Sequence, residues 1–514
     1  MLNSENRSGK VRLDIKADTE QTEIFVIDGE FRRVNKGLGN LNIELPPGIY
    51  DVKFKSGGTI DQVTTVLEPG QKEVSIAGPK MGFSSPAPLI DTRTTHEYHR
   101  ESAKLLSRQV HETIGNGSEL FVFTRDLEPG EPGNTMHGLT LHALSGQMLV
   151  DYSAKGRIPA QTRVYYDGRP AAGCTVRVNP GLYRLRVHIS DTESIEQMVV
   201  ACQGWQTQLF LNVDDYVPGA PGRFPDLTSS SIFMARQGQG FDAGRPELRW
   251  TELARQGLVD RRKVVSQRDL ESMLWVKFEN PVFGIYAAYL MLLEPDPDIT
   301  LLEKVTSNLY SLVGDHPDVR ALAIYLAEKK GEKHDFTPYF APPMLKNAWD
   351  IIVNATSTMP DIVPLASLAS KISDRLWGYG LWLIWLLHPD IDQGGVFVET
   401  DAAGISQKVN LAPARDIARG VTDIATNRRD LQKIADQVVL TPIEQDLLTY
   451  LFDTLRQNAP ASKITKSVSE SERQMGSFDE RFSTEMVVRA LHVPASVATA
   501  TLESLNRKLG ELFH

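Results

Sequence analysis

The chain has 514 residues, 41% of them hydrophobic and 23% charged, so it is too long for a single core and too apolar for a disordered polymer. Its formal net charge of −10 is the opposite of the broad cationic surface that a nucleic-acid binder carries. Length alone predicts about three or four domains.

The opening stretch MLNSENRSGK is polar, predicts no signal peptide, and places the protein in the cytoplasm. The longest apolar run, Leu376–Leu387, falls short of the roughly 20 residues of a membrane-spanning helix. It predicts a buried helix, with interfacial membrane contact as the alternative, and no membrane span. The two cysteines, Cys174 and Cys202, fall in alternating strand patterns and predict reduced core thiols.

Residues 1–80 read as a β module. Val11–Ile15, Glu23–Ile27, Asn42–Leu45, Tyr50–Phe54, Val63–Leu67 and Glu73–Ile76 predict strands, separated by Asp28-Gly29, Pro46-Pro47-Gly48, Ser56-Gly57-Gly58 and Glu68-Pro69-Gly70. A diverged copy follows within residues 81–216. Pro47-Gly48-Ile49-Tyr50 lines up with Pro180-Gly181-Leu182-Tyr183, and Gly70 with Gly204. Here strands are predicted at Glu119–Thr124, across a hairpin from Gly138 to Asp151 turning at Ser145-Gly146, and at Arg163–Tyr166, Cys174–Val178, Tyr183–Ile189, Gln197–Ala201 and Thr207–Asn212. The Pro-Gly-x-Tyr turn, the alternating strand and the later Pro-Gly-Gln resemble the PEGA family of small β modules. That resemblance implies non-catalytic accessory modules; separately, a β region built from short antiparallel sandwiches suits docking, because its exposed edges can accept a partner strand.

Between the copies, Leu106, Val110 and Ile114 recur every four residues and predict a helix over Thr92–Ile114 that covers a sheet edge, with the two modules packed on each other. His96, His99 and His111 lie on or beside it. Their spacing is not His-Glu-x-x-His, so they read as surface or interface histidines rather than metal ligands. Residues 217–245, rich in Pro, Gly and Ser, read as a linker.

From 246 to 435 the period changes to that of helices and an all-α scaffold is predicted. Helices are expected at Asp269–Phe278, at Phe283–Leu293 behind an Asn280 cap and Pro281, and at Ile299–Leu312, Val319–Lys330, Met344–Ala355 and Pro364–Ser373. Gly394–Val409 reads as a loop or small hairpin. Gly314–Leu322 resembles the inter-helix turn of some tetratricopeptide repeats, although the repeat's period of about 34 residues is absent. Trp275, Phe278, Phe283, Tyr286 and Tyr289 form an aromatic cluster, read as core or as a groove for a partner peptide.

Residues 436–514 predict a small helical bundle. Thr441 and Glu444 form a capping box, and Ser483–Leu491, the turn His492-Val493-Pro494 and Ala495–Leu509 follow. This resembles a helix-turn-helix, which implies DNA contacts from Ser496, Thr499, Asn506, Arg507 and Lys508. Residues 440–514 nevertheless hold 8 Lys/Arg against 10 Asp/Glu, a net of −2, which favours protein docking over a duplex. The polar segment 456–482 reads as mobile, with Lys463, Lys466 and Arg473 exposed to a peptidase.

No Walker loop, Gly-x-Ser-x-Gly, Cys-x-x-Cys or His-Glu-x-x-His occurs in the sequence. The expected fold is multidomain α+β: two small antiparallel β-sandwich modules, then an all-α region and a small C-terminal helical bundle. The expected function is that of a non-enzymatic adaptor with no cofactor and with protein partners such as a peptidase or signalling protein. The architecture resembles bacterial accessory proteins of regulatory or antiviral-defence systems. The alternatives are a DNA-binding regulator and a substrate or regulatory partner of a caspase-like peptidase.

Overall fold

The computed structural model describes residues 9–18, 22–56, 59–81, 85–90, 99–130, 133–153, 163–166, 168–190, 193–214, 223–262, 280–332, 336–365, 367–378, 380–387, 438, 440–456 and 484–513. It is a mixed α+β chain.

The first module contains β1 (Val11–Lys16), β2 (Glu23–Asp28), β3 (Arg33–Leu38), β4 (Asn40–Leu45), β5 (Gly48–Ser56), β6 (Thr59–Leu67) and β7 (Glu73–Ala77) in the order β6-β5-β2-β3-β4-β1-β7. β3 and β4 share only the pair Leu38↔Asn40 around Gly39, whose φ is 68°. The sheet folds over at that corner into two layers, β6-β5-β2-β3 and β4-β1-β7. Strict alternation supplies their shared core: Val11, Leu13 and Ile15 from one layer meet Ile24, Val26, Val52 and Phe54 from the other. Each such burial contributes about 1.5–3 kcal/mol.

The second module repeats this plan. It contains β9 (Ser118–Arg125), β10 (Leu139–Ala143), β11 (Met148–Asp151), β12 (Arg163–Tyr166), β13 (Arg169–Val178), β14 (Gly181–His188), β15 (Ser194–Ala201) and β16 (Trp205–Asp214). β1 lies between antiparallel β4 and parallel β7, and β9 lies between antiparallel β13 and parallel β16. The meander β2-β5-β6 matches β10-β14-β15. The repeated Pro-Gly-x-Tyr has a physical basis. Tyr50 Oη donates to the Pro46 carbonyl at 2.9 Å, and Tyr183 Oη donates to the Asn179 carbonyl at 2.7 Å. Both hydroxyls pin the turn four residues back. Gly70 and Gly204 both take positive φ, 86° and 77°, which a side chain would strain. Cys174 and Cys202 are free and buried, and burial pushes both thiols up to about 12.

Several predicted elements change. The helix expected over Thr92–Ile114 is α1, Arg100–Arg108, and residues 91–98 lie outside the described residues. Beyond it β8 (Val110–Thr113) pairs parallel with β13, because an open strand edge competes better for these residues than another helical turn. α1 packs on β13 of the second module. The expected linker contains β17 (Phe224–Pro225) and β18 (Ser231–Arg236). β18 pairs antiparallel with β16 and is buried from Ser231 to Ala235. Among the described strands, none of the first module pairs with one of the second. The first instead meets the end of the next helix through Lys55 Nζ–Asp260 Oδ2 at 2.6 Å and Arg262 Nη1–Glu23 Oε2 at 3.2 Å.

The helical layer comprises α2 (Pro246–Val259), α3 (Pro281–Met291), α4 (Ile299–Val313), α5 (Pro317–Lys330), α6 (Lys346–Ala355) and the short α7 (Leu368–Lys371), which is all that forms of the helix expected at Pro364–Ser373. The helix expected at Asp269–Phe278 lies outside the described residues, as does Gly394–Val409. α3 is buried along its whole length, as its apolar circumference requires. Asn280 stands at its N-cap but does not cap with its side chain. Its Oδ1 accepts from Met234 N at 3.0 Å and its Nδ2 donates to Thr251 Oγ1 at 3.0 Å, tying α3 to β18 and α2.

The largest correction concerns Leu376–Leu387. It is not a buried helix but β19 (Leu376–Trp377) and β20 (Ile384–Leu387). β20 pairs antiparallel with β15, from Ser194↔Leu387 to Gln197↔Ile384. The region expected to be all-α therefore donates a strand to the second module. Gly378, at φ 79°, breaks the run where a helix would have to continue. Trp382 Nε1 donates to the Ser230 carbonyl at 2.8 Å and Trp385 Nε1 to Glu196 Oε2 at 3.0 Å, so both indoles are buried with partners. Among the described residues no helix is long and apolar enough to cross a membrane.

The C-terminal bundle is α8 (Pro442–Arg456), α9 (Thr484–Leu491) and α10 (Ala495–Phe513), closed on Leu447, Leu448, Leu451, Phe452, Val487, Leu502 and Leu505. The capping box forms in both directions: Thr441 N–H donates to Glu444 Oε2 at 2.7 Å and Glu444 N–H to Thr441 Oγ1 at 3.4 Å.

Candidate interaction surface

The described part of the aromatic cluster is core. Phe283, Tyr286 and Tyr289 are buried. Tyr286 meets Trp382 edge to face at 6.2 Å and Tyr289 Oη donates to the Asp318 carbonyl at 2.7 Å. These three line no partner groove, while Trp275 and Phe278 lie outside the described residues, as do Lys463, Lys466, Arg473 and the segment 457–483. His99 is buried, with Nε2 3.2 Å from the Arg169 carbonyl, and His111 Nδ1 accepts from Thr175 N–H at 2.9 Å. His99 is thus a buried residue rather than a surface one, His111 is half-buried with one ring nitrogen engaged, and His96 lies outside the described residues. Among the described residues no three His, Cys, Asp or Glu side chains are placed to hold a metal ion.

The C-terminal bundle docks on the scaffold through the end of α10 that a helix-turn-helix would present to bases. Ala495 N–H donates to Thr356 Oγ1 at 3.0 Å and Ser496 Oγ to the Val363 carbonyl at 2.9 Å. Thr499 Oγ1 returns to the Ala495 carbonyl at 2.9 Å and Lys508 Nζ pairs with Glu444 Oε2 at 2.7 Å. Asn506 is half-buried, which leaves Arg507 as the exposed cation among the proposed DNA contacts. In the turn, His492 Nε2 meets Asp350 Oδ1 at 2.7 Å, and that hydrogen bond raises the histidine pKa. A raised histidine stabilises the docked state fully below the ordinary value of 6.5, and this contribution is lost as pH rises through the folded pKa. Amide exchange in α9 and α10 is therefore expected to accelerate between pH 6 and pH 8.5, after correction for intrinsic rates, and Asp350→Asn to remove the difference. An equal acceleration in the variant would sink the latch.

A cleft of about 380 Å³ lies beside this junction, lined among others by Lys371, Asp374, Arg375, Thr441, Glu444 and Ser504. Both residues of the capping box belong to its lining. Burial opposes ionisation of Glu444, but Lys508, the Thr441 N–H and Ser504 hold its pKa below the ordinary value. The carboxylate is thus engaged in holding α8 to α10.

Among the sheet edges of the described residues, the β6 edge carries exposed aliphatic side chains and unused binding capacity. β6 pairs with β5 on one side, and among the described strands none pairs with its other side. Its nine residues, TIDQVTTVL, contain no Pro and no Lys, the usual protections of an edge. Ile60 and Val66 are 60% and 56% exposed, and Ile49, which pairs with Val66, is 58% exposed. In the second module the equivalent strand, β15, has its edge filled by β20. Sequence reading expects exposed edges in these modules without telling which edge is open. That distinction depends on β20, which comes from residues nearly two hundred positions away.

No family model and no curated protein matches the chain. Among solved structures, the Bacillus anthracis TIE protein is similar at 16% identity, over 35% of this chain and 29% of that chain, with a TM-score of 0.14. The match therefore spans less than a third of that protein's length, and a TM-score so low does not establish a common fold.

Proposed function

We propose that the chain is a non-enzymatic protein-interaction protein: two PEGA-like modules on a helical scaffold, acting with protein partners in the cytoplasm as part of a bacterial regulatory or defence system. The observation that carries this reading is the β6 edge. It is nine residues long, carries no Pro or Lys and is flanked by exposed Ile49, Ile60 and Val66, in a fold whose second module uses the same edge to accept an antiparallel strand. Main-chain hydrogen bonds supply affinity in such strand addition and alternate side chains supply selectivity.

The test is a photo-cross-linking residue at the exposed position of Gln62 in the full-length protein, within the cells that make it. A discrete protein adduct is expected. Adducts with nucleic acid alone, or none, would remove the reading. DNA binding by the bundle is the alternative, and the docked Ala495 and Ser496 count against it. The peptidase-substrate alternative rests on the sequence of 456–482.

A further inference from the structure

We infer that the occupant of the β6 edge is β6 of a second copy of this chain, running antiparallel about a two-fold axis at Val63. The inference rests on the reading of β6 as an interaction edge and adds the identity of the partner. Each step follows from the register and face of this one strand.

Successive residues of a strand face opposite sides, so an antiparallel pairing keeps like faces together only when opposed residues share parity. In β6, Ile60, Gln62, Thr64 and Val66 are exposed on the outer face, whereas Asp61, Val63 and Thr65 are half-buried on the inner face. With Val63 opposite Val63 of the second copy, Ile60 opposes Val66, Asp61 opposes Thr65, Gln62 opposes Thr64 and Thr59 opposes Leu67. This register pairs all nine residues and aligns every face. It also places the strand's one charge, Asp61, opposite a neutral hydroxyl. The register centred on Asp61 would set two carboxylates against each other and is disfavoured.

The apolar contacts also close across this axis. Ile49 pairs with Val66 within one copy, and Val66 then meets Ile60 of the second copy. The exposed aliphatic residues become one continuous stripe, formed twice by symmetry. The backbone has the direction that pairing needs, with the Gln62 N–H exchanging a side-chain acceptor for a main-chain one. The Gln62 N–H is met by the carboxylate next to it, Asp61 Oδ1 at 2.9 Å, which marks the even-numbered residues as those whose main-chain groups point away from β5. Val63 at the axis is then a non-hydrogen-bonded pair, the closer of the two antiparallel geometries. The result is an isologous interface, the form that closes after two copies. The β15–β20 pairing shows that the equivalent edge of this fold takes an antiparallel strand.

The experiment uses the full chain. Light scattering at rising concentration is expected to move from 57.2 kDa to twice that mass. Gln62→Pro removes an outward N–H without breaking the β5 ladder and should hold the protein at the monomer mass, with its circular dichroism unchanged. Thr64→Lys, which adds a charge at the edge, should do the same by a different route. Val63→Cys under oxidised glutathione is expected to give a covalent dimer on a non-reducing gel. Gln62→Cys should not, because Thr64 lies opposite it. The native thiols are buried and stay silent. A monomer at every soluble concentration, a dimer that survives both edge variants, or equal cross-linking of the two cysteine variants would overturn the proposal. If the chain stays monomeric while the cross-linker at position 62 captures another protein, the second copy is wrong and the interaction reading stands. If neither occurs, both fall.

Discussion

Replacing Glu196 with alanine is expected to destabilise the second module by about 3–5 kcal/mol and to release β20 from its edge. Glu196 lies on β15 with no exposure. Its Oε2 accepts from Arg184 Nε at 2.9 Å and Arg184 Nη2 at 2.6 Å, and its Oε1 accepts from Arg186 Nε at 2.8 Å. Trp385 Nε1 of β20 adds a fourth donor at 3.0 Å. One carboxylate thus bridges two buried guanidinium groups and anchors the added strand. Alanine takes from both cations, and from the Trp385 N–H, the buried carboxylate they share, where the desolvation cost dominates any packing change. The measurement is calorimetric unfolding of the full chain together with amide exchange at Ile384–Leu387. The unfolding of the second module should fall in temperature, and β20 should lose protection first. A change below about 1 kcal/mol would mean the network is not what holds this sheet together.

The second large effect is expected at Asp318. It is fully buried, and its Oδ2 and Oδ1 accept from Met344 N–H at 3.1 Å and Leu345 N–H at 2.8 Å. Those residues lead into α6, and Leu383 N–H donates to the Met344 carbonyl at 2.8 Å, one residue before β20. Asp318 therefore links the helical layer to the strand that completes the second module. Asp318→Ala leaves two buried N–H groups without acceptors, at about 1–3 kcal/mol each.

The same site has a distinctive pH signature. Burial raises Asp318 from 3.8 to about 7, although the backbone donors oppose the shift. Burial lowers His316, whose Nδ1 is 3.4 Å from Asp318 Oδ2, from 6.5 to about 3. Asp318 keeps its proton in the folded state after the unfolded chain has released it, so its contribution falls as pH rises from about 4 to about 7. His316 stays neutral when folded, so its contribution rises from about pH 3 to 6.5. The two slopes oppose, and the joint contribution of this pair should be nearly flat between about pH 4 and 6.5. His316→Asn keeps a capping side chain but removes the histidine titration. Relative to the unsubstituted protein at the same pH, its stability is expected to drop by up to about 4 kcal/mol between pH 4 and 7, measured by urea unfolding of both proteins at each pH. A difference that does not change with pH would reject this account.

The sequence was legible where local chemistry decides the outcome. Tyr50 and Tyr183 announced the repeated turn because each hydroxyl reaches a carbonyl only four residues away. Thr441 and Glu444 announced the start of α8 because both bonds of a capping box lie within one turn. β3 was missed because RVNKGL is polar and half-exposed and offers no apolar alternation. The aromatic cluster was legible as apolar mass, but its exposure was not. Whether Tyr286 lines a groove or fills a core depends on Trp382, almost a hundred residues later.

By itself, then, the sequence determined the repeated β plan, the reduced thiols, the all-round apolar α3 and the capped C-terminal bundle, since alternation, helical period, turn glycines and caps act within a few residues. Only the tertiary structure decided that Leu376–Leu387 is strand rather than helix, that Ser231–Arg236 is sheet rather than linker, and that Ser496 faces the scaffold. An apolar run satisfies the burial requirement equally well as helix or strand. What selects between them is whether a distant edge supplies hydrogen-bond partners for the backbone, and β15 does so for β20. The open edge of β6 is the same kind of fact, a property of which strands arrive beside it rather than of its own nine residues.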